Sequence, residues 1–370
     1  MTARPHRPTP SRRGSRGKGA RGPSRQRTLP DRVAALLEDP LDVKLARSIF
    51  GTASVPAITS RVKAYCREQF GHGVASCELF TQSVGAVFVL RLDDGERVVL
   101  KVHDVDESRW GSAPSFESLT AVYAIQAELA RSGFPCAHVL RPPIRGERGA
   151  VVAMSYIEGR RADDPHLPAV RRAMAETCAA LVRQLFAFRS TPGVPARRLP
   201  ADRLWPSPHN VLFDLSAPGG EWIDARARAA RKILDARPPT FILAHTDVSG
   251  ANTRVVSGRV VAMYDMDSIA LVDEARALAS IAVHHTYTPD RGRWVWPSRA
   301  QARAFLADYE RARGTPFSPP ERERLDAGAI YALAYTARAE LSLHPAQRDE
   351  EGMRARLRQA PDRGYFTDPG

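Results

Sequence analysis

The stretch from Phe241 to Asp267, FILAHTDVSGANTRVVSGRVVAMYDMD, constrains this chain more than any other. It opens on four apolar residues, Phe241 to Ala244, turns polar at His245-Thr246-Asp247, and reaches Asn252 five residues after Asp247. Two β-branched runs follow, Thr253 to Val256 and Val260 to Tyr264, separated by Ser257-Gly258 and ending on Asp265. Turn chemistry and period predict a strand, a polar loop, and then a hairpin that delivers one more carboxylate. Asparagine occurs only twice in the chain, at Asn210 and Asn252, so an Asn at this offset from a His and an Asp is not a product of abundance.

These residue types in this order suit phosphoryl transfer to a hydroxyl. The reaction needs a carboxylate to orient the attacking hydroxyl and take its proton, together with oxygen ligands for a magnesium ion on the nucleotide phosphates. Asp247 fits the first role; Asn252 and Asp265 fit the second. Kinases carry the same parts as H-x-D-x-x-x-x-N followed by a strand and a second Asp. His245 reads as a brace for the loop, because Asp247 already stands where a base must reach the hydroxyl proton.

On these residues the chain, from about Phe80 to about His344, resembles the aminoglycoside phosphotransferase and choline kinase family. The resemblance implies an α+β, bilobal protein-kinase-like fold with an antiparallel small-lobe sheet and a mainly helical C-terminal lobe. It also implies transfer of the γ-phosphate of ATP or GTP to a small-molecule hydroxyl with Mg2+. Thr246, Ser249 and Ala251 differ from the residues usual in the family's loop.

Upstream, alternation predicts strands over Cys77–Phe80, Val84–Leu92 and Arg97–His103, the last two joined at Asp93-Asp94-Gly95. Lys101 lies within the last strand and is one of only five lysines against forty-nine arginines. A kinase uses a lysine there as a point charge on the nucleotide phosphates. A helix over Ser115–Arg131 offers Glu117 first, and Glu128 second, as the acid that holds Lys101. The resemblance places a phosphate-covering turn at Gln82 to Ala86, with Ser83 and Gly85 as its contacts. It makes Met154 to Gly159 the hinge, where backbone groups of Ser155, Tyr156 and Ile157 meet the adenine edge. Trp205, His209, Phe213 and Trp222 either line an acceptor pocket or pin a loop, and Trp294 with Trp296 either stacks on an acceptor ring or covers the cleft.

The organisation that follows is a basic tail over 1–30, a small lobe with leading helices over 31–153, a hinge over 154–159, a helical lobe over 160–345, and a polar tail over 346–370. A cap at Thr59 or Ser60 is expected for a helix running through Phe70, and helices are expected to follow Asp267. The first thirty residues hold eight Arg, one Lys and no acid, which accounts for nine of the thirteen net positive charges. Such a composition cannot bury enough apolar surface to fold alone. Nucleic acid as a partner enters only through this tail. No apolar run reaches the length of a membrane span. Cys66, Cys77, Cys136 and Cys178 lack metal-site spacing and read as reduced thiols, and the tail lacks a secretory apolar stretch, so a cytoplasmic location is expected. The competing reading is a nucleotide-binding module without turnover; the intact set of Lys101, Asp247, Asn252 and Asp265 speaks for an enzyme. Acceptor identity, the choice between ATP and GTP, and the oligomeric state are not encoded in these motifs.

Overall fold

The computed structural model describes residues 27–105, 114–146, 148–158, 164–209, 211–288, 296–343 and 352–367. Three helices lead: α1 (Leu29–Leu36), α2 (Pro40–Phe50) and α3 (Val55–Phe70). Each has a side-chain cap and a proline in its first turn, where the missing N–H costs nothing. The cap of α3 is Ser54, not Thr59 or Ser60. Thr59 lies inside the helix, its hydroxyl donating to the Val55 carbonyl at 2.8 Å.

Five strands follow: β1 (Val74–Gln82), β2 (Gly85–Leu92), β3 (Arg97–His103), β4 (Val139–Arg145) and β5 (Ala150–Ser155), with helix α4 (Phe116–Arg131) between β3 and β4. They form an antiparallel sheet in the order β1-β2-β3-β5-β4. Strand alternation decides what β3 shows to each side. Val98, Leu100 and Val102 join Phe80, Phe88 and Leu90 in a core roofed by Val33, Ile49, Ile58 and Val62 of the leading helices. Lys101 and His103 therefore point to the opposite face, where Leu119 and Tyr123 of α4 pack on Ala150 and Val152. That register puts one lysine, nearly buried, on the inner face of the small lobe.

The second lobe is built on α5 (Pro168–Leu185), α6 (Glu221–Asp235), α7 (Glu274–His284), α8 (Arg299–Arg313), α9 (Pro319–Ser342) and α10 (Met353–Gln359). Between these helices lie β6 (Ala196–Arg197), β7 (Phe241–His245), the hairpin β8 (Thr253–Val256) with β9 (Arg259–Met263), and β10 (Ile269–Asp273). Strand β10 is central in a three-stranded sheet, β6-β10-β7. A 3-10 turn over Met266–Ser268 leads into it, Ile269 to Asp273 pair with His245 to Phe241, and the helix expected after it follows as α7.

The reading of 346–370 as a polar tail also fails over 352–367. Met353, Leu357, Ala360, Tyr365 and Phe366 are buried against the helical lobe, and the Met353 N–H donates to Glu340 at 2.8 Å. The arginines of Met353–Gln359 masked one apolar stripe in the sequence. All four cysteines are free and buried, and burial raises their thiols, Cys66 to about 11 and Cys178 to about 12. No described helix is long and apolar enough to cross a membrane.

Candidate active site

Strand β7 ends on His245, and the chain then turns through the polar loop into β8. The His245 ring fixes this turn from both nitrogens. Nδ1 accepts the Asp247 N–H at 3.0 Å, so Nε2 carries the proton and donates to the Tyr264 carbonyl at 2.8 Å. Burial lowers the pKa of this imidazole, which keeps it neutral in that tautomer. His245 thus couples the loop to the end of the hairpin and has no nitrogen left for a substrate.

Asp247 and Asn252 meet as the loop closes. The Asn252 side-chain amide donates to the Asp247 carbonyl at 3.0 Å and to its carboxylate at 2.9 Å. With its nitrogen committed, Asn252 keeps its side-chain oxygen for a cation. The Asp247 carboxyl is pushed up to about 7, first by the protein around it and then by the charge of Asp265; Asn252, Arg197 and Lys101 act against this. Asp247 is exposed to solvent, which screens much of this effect.

The hairpin delivers the second acid. The Tyr264 N–H bonds the Asn252 carbonyl at 2.8 Å, and Asp265 follows in the left-handed region at φ 58°, ψ 38°. This turn directs Asp265 and Asp267 at the small lobe. Lys101 Nζ donates to Asp265 at 2.9 Å and to Asp267 at 2.6 Å across a separation of more than 160 residues. Burial alone would lower the pKa of the ammonium, but the two carboxylates outweigh it and hold the pKa raised. Asp267, for its part, is held below the usual carboxylate range: burial opposes ionisation, and Lys101 with His103 overcomes it.

Behind Lys101 the same inner face continues. His103 Nε2 and the Tyr123 hydroxyl are 2.8 Å apart, and His103 Nδ1 is 3.9 Å from Asp267. Burial brings the His103 ring down to about 4, so it is a neutral spacer between α4 and Asp267. This corrects the expected acid on α4. Glu117 is exposed, its stem beside Gly193, and Glu128 pairs with Arg131. The side of α4 turned to β3 carries Leu119 and Tyr123, and the acid that grips Lys101 together with Asp265 is Asp267. Sequence reading missed Asp267 although it stands two residues from Asp265; the only signal was that doubled acid.

The remaining site residues are placed as follows. Ser83 and Gly85 form the β1–β2 turn, the Ser83 N–H bonding the Gly85 carbonyl at 2.8 Å. A side chain at position 85 would meet the Val102 carbonyl at 2.5 Å, so glycine is what lets β2 lie this close to β3. In the sheet, Val87 of the strand that follows this turn is paired with Lys101. At the hinge, the Ser155 N–H is taken by the His138 carbonyl at 2.9 Å. The Tyr156 ring lies under Arg97, and the Ile157 carbonyl accepts the Tyr264 hydroxyl at 3.3 Å. Gly159 lies outside the described residues, as do Asn210, Trp294 and the tail up to residue 26. Trp205 pins a loop: Nε1 donates to Asp224 at 3.0 Å and the ring packs on Tyr331. Trp222 lies under Arg358, and the His209 ring packs with Phe213 and Tyr335.

The donor set fits a hard divalent cation. Two carboxylates stand close here, the charge of Asp265 raising the cost of ionising Asp247, and Asn252 adds a neutral oxygen. Among the described residues, the one other close His and acid set is His72, Asp93 and Asp94, where Asp93 also takes the Gly73 N–H and ties α3 to the β2–β3 turn.

No family model and no curated protein matches the sequence. Solved structures do. An amicoumacin kinase in complex with AMP-PNP and calcium superposes with a TM-score of 0.59 at 10% identity, over 81% of this chain and 90% of that one. The GDP complex of an aminoglycoside 2'-phosphotransferase gives 0.52 at 13% identity, over 83% and 93%. A spectinomycin phosphotransferase with ADP and spectinomycin gives 0.50 at 10%, over 83% and 93%. At such identities the likeness is one of fold, and the fold of this chain is the bilobal, protein-kinase-like one of the small-molecule phosphotransferases.

Proposed function

We propose that the protein transfers the γ-phosphate of ATP or GTP to a hydroxyl of a small molecule. The observation that carries this reading is the meeting of Lys101, from the small lobe, with Asp265 and Asp267, at the end of the hairpin that follows Asp247 and Asn252. Phosphoryl transfer depends chiefly on positioning and charge, and this is the set of charges it requires.

In this reading Lys101 turns from Asp265 to the α- and β-phosphates while Asp267 keeps hold of it. Asp247 orients the acceptor hydroxyl and receives its proton; a carboxyl pushed up to about 7 is a competent acceptor near neutral pH. His245 and the Tyr264 carbonyl hold the loop at its working distance from the hairpin. Magnesium held by Asn252 and Asp265 would neutralise charge on the nucleotide phosphates. The Ser83–Gly85 turn covers the phosphates, and the backbone near Tyr156 and Ile157 meets the base. The relatives in fold, one solved with AMP-PNP and others with ADP or GDP, support a nucleotide donor.

The test is magnesium-dependent nucleotide consumption by purified protein across hydroxyl-bearing acceptors, with Asp247→Ala and Asp265→Ala alongside. Turnover that both variants abolish, in folded protein, is the expected outcome. Wild-type rates in either variant would refute the assignment of roles.

A further inference from the structure

The catalytic loop is fastened to a turn that lies outside its own hairpin. Between Asp247 and Asn252, the Gly250 N–H donates to the His285 carbonyl and the Ala251 N–H to the Tyr287 carbonyl, each at 2.8 Å. These bonds tie the loop tip to the chain leaving α7, where the Tyr287 N–H closes a turn on the His284 carbonyl at 2.8 Å. The approach is close: a side chain at position 250 would meet Thr288 at 2.9 Å and Pro165 at 3.2 Å. The span from Asp247 to Asn252 therefore depends on where residues 285–287 are held.

Trp296 holds them. It is 5% exposed, its ring stacked on Tyr287 at 5.2 Å between centroids and 19° between planes, and edge-on to His284 at 5.4 Å. At that burial the ring has no face left for an acceptor. Trp296 is gripped in turn by the last described stretch of the chain, 352–367. Arg356 of α10 donates to the Trp296 carbonyl at 3.2 Å and to the Pro297 carbonyl at 2.6 Å. That stretch is fixed at both ends. Glu340 of α9 accepts the Met353 and Arg354 N–H groups at 2.8 and 3.2 Å. Asp326 accepts the Phe366 N–H at 2.6 Å, and Arg299 donates to the Tyr365 carbonyl at 2.7 Å. A line of contacts thus runs from α10 through Trp296 and the 285–287 turn to the loop that carries Asp247.

We infer that Trp296, braced by Arg356, is a positioning residue for Asp247, so that the 352–367 stretch serves the active site through these contacts. The inference rests on the phosphotransfer reading for what Asp247 does, though not for the brace itself. A catalytic group displaced by about 1 Å can lose about a hundredfold in rate, so a stiff buried ring behind the turn has a kinetic consequence.

Hydrogen exchange read by mass spectrometry, with kcat and the KM for nucleotide alongside, tests it on full-length wild type, Trp296→Ala, Trp296→Phe and Arg356→Gln. Thermal unfolding of each variant confirms the fold. In Trp296→Ala the amides of 246–252 should exchange roughly tenfold faster, while those of 97–103 in β3 keep their wild-type rate. Its kcat should fall roughly tenfold with the KM for nucleotide within about twofold, because Lys101 and Asp265 are untouched. Trp296→Phe should restore most of both, and Arg356→Gln should shift both less, in the same direction. Unchanged exchange over 246–252 in Trp296→Ala overturns the inference. Equal acceleration over 246–252 and 97–103 does so too, since the ring is then a general packing residue. A fall in kcat with the loop still protected also overturns it, because Trp296 then acts on the substrate directly. Should Trp296→Ala not fold, Arg356→Gln decides: wild-type exchange over 246–252 in that variant overturns the brace. Absence of turnover in the wild type strikes at the phosphotransfer reading alone, and the exchange comparison still decides whether Trp296 holds the loop.

Discussion

The two halves of the site are held together by different means. In the helical lobe, His245, Asp247, Asn252 and Asp265 fall within one strand–loop–hairpin unit, and the first three are bonded to other parts of that unit. In the small lobe, Lys101 is positioned by strand register alone, and its partners come from the far side of the cleft. A local unit can preserve its geometry while the lobes move; a contact across the cleft cannot. The first half therefore behaves as a rigid tool, and the second as a contact that ligands must rearrange.

Four substitutions and one titration can break or sharpen that contrast. Asp265→Asn should have the largest effect, since Asp265 belongs to both halves: a loss of phosphotransfer on the order of a thousandfold or more is expected in a coupled nucleotide-consumption assay. Lys101→Met comes next, with a loss of about a hundredfold or more. It should also destabilise the free protein by about 3 kcal/mol in urea unfolding, because it leaves Asp265 and Asp267 without a counter-ion. A smaller penalty would show that the contact across the cleft is looser than its distances suggest. Asp267→Asn should raise the KM for nucleotide by roughly tenfold and lower kcat less, the pattern of a positioning residue. Glu117→Gln should change neither parameter by more than about twofold; a larger loss would restore the helix glutamate as the partner of Lys101.

The titration concerns Asp247. Its carboxyl rises in the folded protein from an ordinary value near 3.8 to about 7, so between these values the folded state binds more proton than the unfolded one. The associated stability is complete below the unfolded value and is lost as pH rises through about 7. Metal-free Asp247→Asn should therefore unfold at a higher temperature than wild type at pH 8 and show no such advantage at pH 4. An advantage of the same size at both pH values would remove the electrostatic cause.

That contrast also governs what is legible in the sequence. The loop was legible because its chemistry is contiguous: one His, one Asp, one Asn and a later Asp at fixed offsets, with turn residues between them. Lys101 was legible because β2 and β3 alternate cleanly around Asp93-Asp94-Gly95. Its partner was not, since choosing Asp267 over Glu117 depends on how α4 rotates against β3, and Tyr123 with His103 settles that through packing. The burial of Met353 and Leu357 followed from helix docking that their arginine neighbours concealed.

Asp265 sits in a left-handed backbone well, a place where most side chains are held at some conformational expense. Asparagine and glycine occupy that well comfortably, and neither brings a negative charge. Replacing Asp265 with glycine should therefore leave the hairpin end relaxed and Lys101 half released, giving a sturdier turn with nothing to offer a cation. Tension in the main chain and reactivity at the cleft are thus secured by one and the same residue.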